Sequence, residues 1–536
     1  MRARLFPSAI CALFLLSGLP FIPRLGLEND EALFAAALLP PRAEAYTLMI
    51  GHYRVPLMLL NYLGALKAWI YRPLIRAFGT GVWAIRLPML LAGTASVWLF
   101  YRFLHRVAGE RAAVIGSGLL AVDSMYLLSS CFDWGPVALQ HLLVVGGLVW
   151  LMKFWQKRSE AALAGGFFLF GLALWDKALA VWILGGMGAA ALVIVPREIR
   201  AVLTARRFGI AMLALGIGAL PLVWYNVNTH GGTLQGTVNV ENGGLKQKAQ
   251  MLWLTVNGAG LYQFVPYEDS ETEHPHAPDT AWERISAALA AVTRSPRSSL
   301  QAWAIGAALL LAALARGRDL RAILFAVIAM ALAWVQMFFT AGTGSSVHHT
   351  ILLWPLPQMM VGISFAAASR RLARRAVPVL GIGLAVMMGW GLAVTNAYYA
   401  QIARNGGARE WSDAIFPLSA YFSRTHAREI FFADWGMIDS VRLLNRGRLQ
   451  LGLVGFPGDE SAGRPVEPER LQKLIARPDN MFVTHTREFL FFPGVDDKLM
   501  RFAAERGYRR ESVAVISDSY QRPTFEIYRF LPEALH

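Results

Sequence analysis

The sequence predicts a polytopic α-helical membrane protein with about 11 transmembrane helices, interfacial helices in its external loops and a small C-terminal α/β domain. Apolar residues make up 55% of the 536 residues and charged residues only 16%, against about 25% charged residues in a soluble domain. The mean hydropathy is +0.41. Basic residues concentrate in alternate connections between apolar stretches, and mixed charges become frequent only after about residue 400.

The predicted spans are the apolar stretches that fit a hydrocarbon core of about 30 Å, the shorter ones with help from flanking residues. In chain order they are residues 8–25, 83–101, 112–130, 137–152, 161–175, 178–195, 208–226, 300–315, 322–340, 350–368 and 376–398. An odd number of spans places the two termini on opposite sides of the membrane.

Basic side chains fix the orientation, because Lys and Arg near helix ends stay cytoplasmic during insertion. With the N-terminus in the cytoplasm, the cytoplasmic set is Arg2, Arg4, Arg102, Arg106, Arg111, Lys153, Lys157, Arg158, Arg197, Arg200, Arg206, Arg207, Arg316, Arg318, Arg321, Arg370, Arg371, Arg374 and Arg375. Lys177 is the exception, a lone basic residue in a short external connection. Asp30, Glu31, Asp133 and Asp176 share the external side with it.

The cytoplasmic segments account for the whole formal net charge of +15, so no nucleic-acid partner is needed to explain it.

Cys11 and Cys131 fall near opposite membrane faces, which argues against a disulfide between them. Residues 1–25 are interpreted as an uncleaved first span, since no clear small-x-small cleavage site precedes Glu28; a cleaved signal peptide is the alternative.

Two long external connections, about 26–82 and 227–299, are not simply polar. Residues 31–39, 56–71 and 246–264 have helical apolar spacing, which favours helices lying in the membrane interface. After about residue 400, apolar runs of strand length at 429–434, 449–454, 480–484, 512–516 and 525–530 are mostly separated by amphipathic stretches. This alternation is typical of an α/β domain, so we divide the chain into a membrane domain, 1–399, and an extracytoplasmic domain, 400–536.

The charged residues of the external side are the candidate functional groups. Each also has a purely structural interpretation. Asp30 and Glu31 would complement a helix dipole, and Asp133, before Pro136, would cap a helix. The Arg54 side chain would extend toward the membrane surface, and Lys177 would pair with Asp176. The functional alternative is that a carboxylate acts as general base while basic groups hold a phosphate. His348 and His349 open span ten but point to different sides of a helix, which favours interfacial anchoring over a metal pair.

On these motifs the chain resembles, over about residues 5–370, the GT-C glycosyltransferases that use polyprenyl-phosphate sugars, which include lipid A aminoarabinose transferase and protein O-mannosyltransferases. The stretches that carry the resemblance are Asp30-Glu31-Ala32 (an Asp-Glu motif), Arg54-Val55-Pro56-Leu57 (a Lys-Pro-Pro-Leu-like stretch), Ala84-Ile85-Arg86-Leu87-Pro88 (an Arg-Leu-Pro motif), Asp133 (a second external acid), Lys177 (the Lys of Thr-Lys-Gly) and His348-His349-Thr350 through Pro355 (a late motif ending in Leu-Pro).

The resemblance implies Asp30 as catalytic base with Glu31 as its substitute, and Arg54 and Lys177 as ligands of the donor phosphate. It implies that Asp133, Arg86, His348 and His349 bind or orient substrate. Arg54 and Val55 replace the usual Lys and first Pro, and Ala178 replaces the Gly after the Lys. The guanidinium of Arg54 keeps the charge in a different geometry.

The expected function is therefore transfer of a sugar from a polyprenyl-phosphate donor to an acceptor at the outer face of the plasma (inner) membrane of a cell envelope, by a single inverting displacement. A transporter or lipid flippase is the alternative, although such proteins tend to place ionisable residues near the bilayer midplane. A non-catalytic scaffold of a polymer-assembly complex is a third. The sugar, the acceptor (lipid, glycan or protein) and the oligomeric state are left open.

No cofactor is required by the sequence, and a divalent metal stays unassigned because members of the family differ in metal dependence. The loosely grouped residues Glu268, Asp269, Glu271, His274 and His276 are better interpreted as a solvated loop than as a metal site.

Overall fold

A computed structural model describes residues 2–40, 46–237, 243–268, 275–372, 374, 376–455 and 466–533. The helices are α1 Arg2–Gly18, α2 Asn29–Ala36, α3 Leu66–Phe78, α4 Val82–Ala108, α5 Glu110–Ala121, α6 Ser124–Cys131, α7 Val137–Lys157, α8 Glu160–Asp176, α9 Ala180–Ile194, α10 Pro196–Val202, α11 Ala205–Gly218, α12 Leu220–Asn228, α13 Gly232–Thr237, α14 Leu245–Val256, α15 Ala281–Thr293, α16 Gln301–Leu311, α17 Arg318–Phe339, α18 Val347–Thr350, α19 Leu356–Arg371, α20 Ala376–Asn405, α21 Ile415–Arg424, α22 Ile438–Leu444, α23 Pro468–Ile475 and α24 Pro493–Ala504. The strands are β1 Tyr46–Ile50, β2 Tyr53–Met58, β3 Ile430–Phe432, β4 Leu451–Leu453, β5 Met481–His485, β6 Tyr508–Ser517 and β7 Pro523–Pro532.

The predicted fold class is confirmed, since each of the eleven apolar stretches contains helix. Among the described residues, five helices are long and apolar enough to cross a membrane: α4, α7, α17, α18 with α19, and α20. The pairs α5–α6, α9–α10 and α11–α12 raise the number to eight when each bent pair is one span. The remaining stretches are the shorter helices around Leu5–Phe21 and Gln301–Leu314, and α8, which has 17 residues.

Small residues let the membrane helices pack closely, as expected where water does not drive their association. A Cβ added to Gly171 of α8 would lie 2.2 Å from the backbone oxygen of Leu215 in α11. A Cβ on Gly186 of α9 would lie 2.5 Å from the backbone oxygen of Ala329 in α17. These contacts hold α8 against α11 and α9 against α17.

The first external connection differs from the helical prediction for residues 56–71. Helix α2 covers most of the 31–39 stretch, but β1 and β2 form an antiparallel hairpin through residue 58, and α3 begins only at Leu66. Gly51 supplies the positive φ of +59° that the turn requires. Part of the apolar pattern at 56–71 therefore belongs to β2, a strand whose side chains alternate between two faces. Over so short a stretch, apolar spacing does not distinguish a strand from a helix.

The C-terminal region contains the predicted α/β arrangement: a five-stranded sheet in the order β4-β3-β5-β7-β6. Strand β3 is parallel to both β4 and β5, whereas β7 is antiparallel to β5 and β6. Helix α22 packs against α2 of the first external connection, and the backbone N–H of Asp439 donates to Asn29 Oδ1 at 3.0 Å. The sheet region therefore adjoins the segment that carries Asp30.

Candidate active site

The two adjacent acids of the first external connection occupy the first turn of α2 and have different surroundings. Glu28 is the N-cap, because its side chain accepts from the backbone N–H of Glu31 at 2.9 Å. Asp30 is partly accessible, whereas Glu31 is fully buried. Only Asp30 therefore presents a carboxylate that a substrate could approach.

Arg86 of α4 holds Glu31 in a bidentate pair, with Nε to Oε1 at 2.6 Å and Nη2 to Oε2 at 2.8 Å. The same guanidinium donates to the backbone oxygens of Ile22, Leu25 and Gly26. All of its nitrogens are thus used inside the protein, where they fix the chain between α1 and α2. This geometry favours a positioning role for Glu31 and Arg86 over contact with substrate.

Lys177 lies where α8 ends, and backbone pairing with the first external connection holds it there. Ala178 N donates to Tyr62 O at 2.9 Å, and Gly64 N donates to Asp176 O at 3.1 Å. The Nζ of Lys177 is 3.3 Å from the position that a Cβ on Gly135 would occupy. In the described parts of the chain, no carboxylate lies within 4.0 Å of this ammonium group, which leaves it able to meet an anionic ligand.

Lys67 of α3 is a buried cation that the sequence analysis missed. It forms an ion pair with Asp133 and lies 4.1 Å from the ring centroid of Phe34. Asp133 also accepts from the backbone N–H of Ala138 at 3.0 Å, so it caps α7 as well. The sequence feature that could have identified Lys67 is that it is a single charged residue inside an apolar stretch of helical spacing. Asp133 thus pairs with a basic side chain, and its contact with substrate remains a prediction.

The charges of these loops act on one another. Burial raises the pKa of Asp30 to about 6, while the positive charge of Lys177 is the largest opposing influence. Burial lowers the pKa of Lys177 to about 8, and the negative charges of Asp30, Asp176 and Asp133 partly offset this effect. Asp30 and Lys177 come from connections far apart in sequence, yet each is close enough to influence the other's protonation.

Neither side-chain oxygen of Asp176 has a hydrogen-bond partner among the residues that the structure describes. The local Asp176–Lys177 pairing considered from sequence is absent as a direct ion pair there. The Asp176 carboxylate is instead close enough to Lys67 and Lys177 for the charges of both to act on it.

Two late histidines border the same region. The ring of His348 lies 4.8 Å from that of Trp134 and 4.2 Å from that of His349. Its Cδ2 is 3.8 Å from the Cβ position at Gly135, beside Lys177. His348 and His349 thus line the cluster, and their contact with substrate remains a prediction.

Arg54 is not part of this cluster of buried charged residues. Its side chain is exposed on β2, opposite Met49 in the hairpin, and not among the buried charges around Asp30. Its role in binding the donor phosphate remains a prediction that requires the hairpin to approach the ligand.

In the described ranges, no group of three or more His, Cys, Asp or Glu side chains is arranged to hold a metal ion. Of the loosely grouped acids and histidines, Asp269, Glu271 and His274 lie outside the described residues. His276 contacts the ring of Tyr520 at 4.4 Å and the backbone oxygen of Ser519 at 3.0 Å.

A family model of dolichyl-phosphate-mannose-protein mannosyltransferases matches residues 64–225, the part that contains Lys67, Arg86, Asp133 and Lys177. No curated protein matches the chain in a search by sequence.

Solved structures with the same fold extend over nearly the whole chain. ArnT from Cupriavidus metallidurans bound to undecaprenyl phosphate is 15% identical with a TM-score of 0.60, over 98% of this chain and 97% of that chain. The same protein in the apo state gives 12% identity and a TM-score of 0.57, with coverage of 98% and 97%. An Archaeoglobus fulgidus oligosaccharyltransferase tethered to an acceptor peptide gives 12% identity and a TM-score of 0.50, over 95% of this chain and 69% of that chain.

The family-model match and the shared fold confirm the predicted resemblance to GT-C glycosyltransferases, and with it the predicted enzyme class and the multi-pass membrane architecture.

Proposed function

We propose that this protein transfers a sugar from a polyprenyl-phosphate donor to a hydroxyl-bearing acceptor at the extracytoplasmic face of the plasma membrane. Asp30 takes the proton of the attacking hydroxyl, and Lys177 stabilises the phosphate as it leaves. The positive-inside distribution of Lys and Arg supports this side of the membrane. ArnT, which shares the fold, binds undecaprenyl phosphate, and this supports the class of donor.

The observation that carries the proposal is the convergence of Asp30 and Lys177. A carboxylate whose pKa is raised to about 6 is ionised at neutral pH and can still accept a proton. A buried ammonium group without a carboxylate within 4.0 Å among the described residues is suited to the negative charge that develops on a leaving phosphate. Base and cation are therefore separate groups whose charges act on each other, and we place both in one proposed pocket.

A single displacement with inversion follows from this pairing of roles. The base must reach the acceptor hydroxyl on one side of the anomeric carbon, while the cation holds the phosphate on the other. No side chain is then needed as a covalent nucleophile, and the new glycosidic bond forms as the bond to phosphate breaks. The proton passes to Asp30 and the electron pair to the phosphate oxygen.

The base assignment is tested with Asp30→Asn in a deletion strain, using mass spectrometry of envelope lipids, glycans and glycoproteins. Wild type should restore the sugar-modified species, and Asp30→Asn should reduce it by about 100-fold, the size expected for loss of a general base. The control is Asp497→Asn, an exposed acid of α24, which should restore it fully. An Asp30→Asn protein that inserts normally and modifies as much acceptor as wild type would remove Asp30 from this role.

The donor assignment is tested by binding of undecaprenyl phosphate to purified protein, measured by native mass spectrometry. Lys177→Ala should weaken binding by about tenfold or more, because a charge-assisted contact is lost. Lys157→Ala, at the exposed cytoplasmic end of α7, is the matched control. Equal affinity in wild type and Lys177→Ala contradicts the assignment. Movement of donor lipid across the bilayer without sugar transfer would instead favour a flippase.

A further inference from the structure

A second polar pair lies outside the charges described above, at the carboxyl ends of two parallel strands of the C-terminal sheet. His485 ends β5, and Asp434 follows β3 by two residues. Their side chains are buried, with His485 Nδ1 and Asp434 Oδ2 2.7 Å apart. The backbone N–H groups of Phe491 and Phe492 also donate to the Asp434 carboxylate, each at 3.0 Å.

These bonds fix which nitrogen of His485 carries hydrogen. A carboxylate that accepts two backbone N–H bonds is held as an acceptor, so Nδ1–H donates to it, and in that tautomer Nε2 is an acceptor. Nε2 is buried and has no hydrogen-bond partner among the described residues. Such an atom is costly unless a ligand or water supplies a donor.

The topology places this nitrogen where α/β sheets bind ligands. Strand β3 lies between β4 and β5, so the chain leaves β3 through α22 toward one side and leaves β5 through α24 toward the other. Adjacent parallel strands whose connections diverge leave a crevice at their carboxyl ends. Asp434 and His485 occupy the two strand ends that border this crevice.

The crevice has an aromatic and charged lining, in which Glu410 and the Arg409 guanidinium, 5.4 Å from the Phe491 ring centroid, lie close together, and it adjoins the proposed base. A Cβ on Gly436, whose φ is +96°, would lie 3.7 Å from Glu410 Cβ and 4.0 Å from His485 Cε1. Trp435 is half-buried, with its ring 5.3 Å from that of Phe491. The charge of Glu410 interacts with that of Asp30, so the two sites are neighbours.

We propose that this crevice is the acceptor subsite and that it takes a neutral saccharide, one of whose hydroxyls donates to His485 Nε2 while its ring packs on Trp435. A few placed polar groups among aromatic side chains are typical of small-molecule sites. Burial raises the pKa of Glu410 to about 7, so above that pH its carboxylate and that of Asp30 are both ionised and repel a phosphorylated acceptor. This inference rests on the proposed function, because it names the class of acceptor for the same reaction.

The test measures saturation-transfer NMR signals from methyl α-D-glucopyranoside, its 6-phosphate and a serine-containing peptide, each with the purified full-length protein. His485→Asn keeps a donor toward Asp434 but lacks the atom equivalent to Nε2. His426→Asn, an exposed histidine of the same region, is the matched control. Trp435→Leu removes the ring without touching the buried pair, and thermal unfolding checks that each variant folds.

The pyranoside should give a signal with wild type and His426→Asn, and about tenfold less with His485→Asn, the effect of losing one hydrogen bond to ligand. Trp435→Leu should also lose most of the signal, and the phosphate should bind more weakly than the neutral sugar. No pyranoside signal with wild type, an equal signal with His485→Asn, or a signal from the peptide alone would each overturn the inference. Undecaprenyl phosphate binding, measured on the same samples, separates failure of this subsite from failure of the proposed function.

Discussion

At the scale of single residues, burial rather than direct pairing sets the properties of the proposed catalytic groups. The pKa of Asp30 is raised to about 6 and that of Lys177 is lowered to about 8, in both cases chiefly by burial. Removal from water disfavours the charged form of either group, and each charge partly offsets this effect on the other. Both are ionised together between these two values, which defines the pH range in which the pocket can work.

The rate of transfer should therefore follow a bell-shaped pH profile. It should rise as pH passes about 6, where Asp30 loses its proton, and fall as pH passes about 8, where Lys177 loses its own. Lys177→Arg should remove the alkaline limb, because a guanidinium stays protonated, though at a lower maximal rate. Initial rates in isolated envelopes between pH 5 and pH 10 measure both limbs. An unchanged alkaline limb in Lys177→Arg would assign it to another group.

The Glu31–Arg86 pair should contribute to stability rather than to chemistry. Arg86→Met leaves the carboxylate of Glu31 buried without its partner, which costs about 3–5 kcal/mol, and the melting temperature in detergent should fall accordingly. The double variant Glu31→Gln with Arg86→Met should recover part of the loss. Arg206→Ala, which breaks the exposed pair with Glu160, is the control and should change the melting temperature little. A fully stable Arg86→Met protein would argue against the positioning role.

At the scale of elements, the backbone pairing of residues 62–64 with 176–178 places Lys177. Leu63 and Lys177 form an antiparallel bridge, and the side chain of Tyr62 is close enough to Asp30 to be influenced by its charge. Gly64 permits this approach, because a Cβ there would lie 1.8 Å from the backbone oxygen of Trp175. The connection before α3 is thereby linked to the start of α9.

Gly64→Ala should separate these two segments. The clash is with backbone and cannot be relieved by a side-chain rotation, so overpacking should cost about 1–3 kcal/mol and displace Lys177 from the pocket. Gly188→Ala in α9, where a Cβ meets nothing within 4 Å, is the control. Melting temperature and undecaprenyl phosphate affinity should both fall for Gly64→Ala and stay unchanged for Gly188→Ala. Unaltered binding by Gly64→Ala would mean that Lys177 does not depend on this pairing.

At the scale of the whole molecule, the sheet region and the Asp30 segment must face the same side of the membrane. Asn29 binds the backbone of Asp439, and α22 packs on α2. The arginines at the other ends of the helices, such as Arg106 and Arg318, gather on the opposite side. The protein is therefore polarised, with the excess of positive charge at one face and the proposed pocket and sheet at the other.

Reporter fusions test this polarity. Alkaline phosphatase, which is active only outside the cytoplasm, should be active when fused after residue 533. It should be inactive when fused after residue 158 or 317, and green fluorescent protein should show the reverse pattern. Activity of the phosphatase at residue 158 would reverse the orientation and place Asp30 in the cytoplasm.

The sequence by itself determined the apolar spans, their proposed orientation, the α/β pattern of the C-terminal region and the set of external charged residues from which the candidate site was drawn. These features depend on local hydrophobic periodicity and on the distribution of charge along the chain, which can be counted without coordinates. Division of the chain at residue 399 stays a prediction, and α20 continues to Asn405.

Only the tertiary structure decided which charges meet. It brought Lys67 to Asp133, tied Glu31 to Arg86, left Arg54 on an exposed hairpin, and set His485 beside Asp434. None of these pairings is encoded in local spacing, because the partners are distant in sequence and meet only when helices and strands pack. A buried charge is stable only where packing supplies its partner, and that partner is not visible in any single segment.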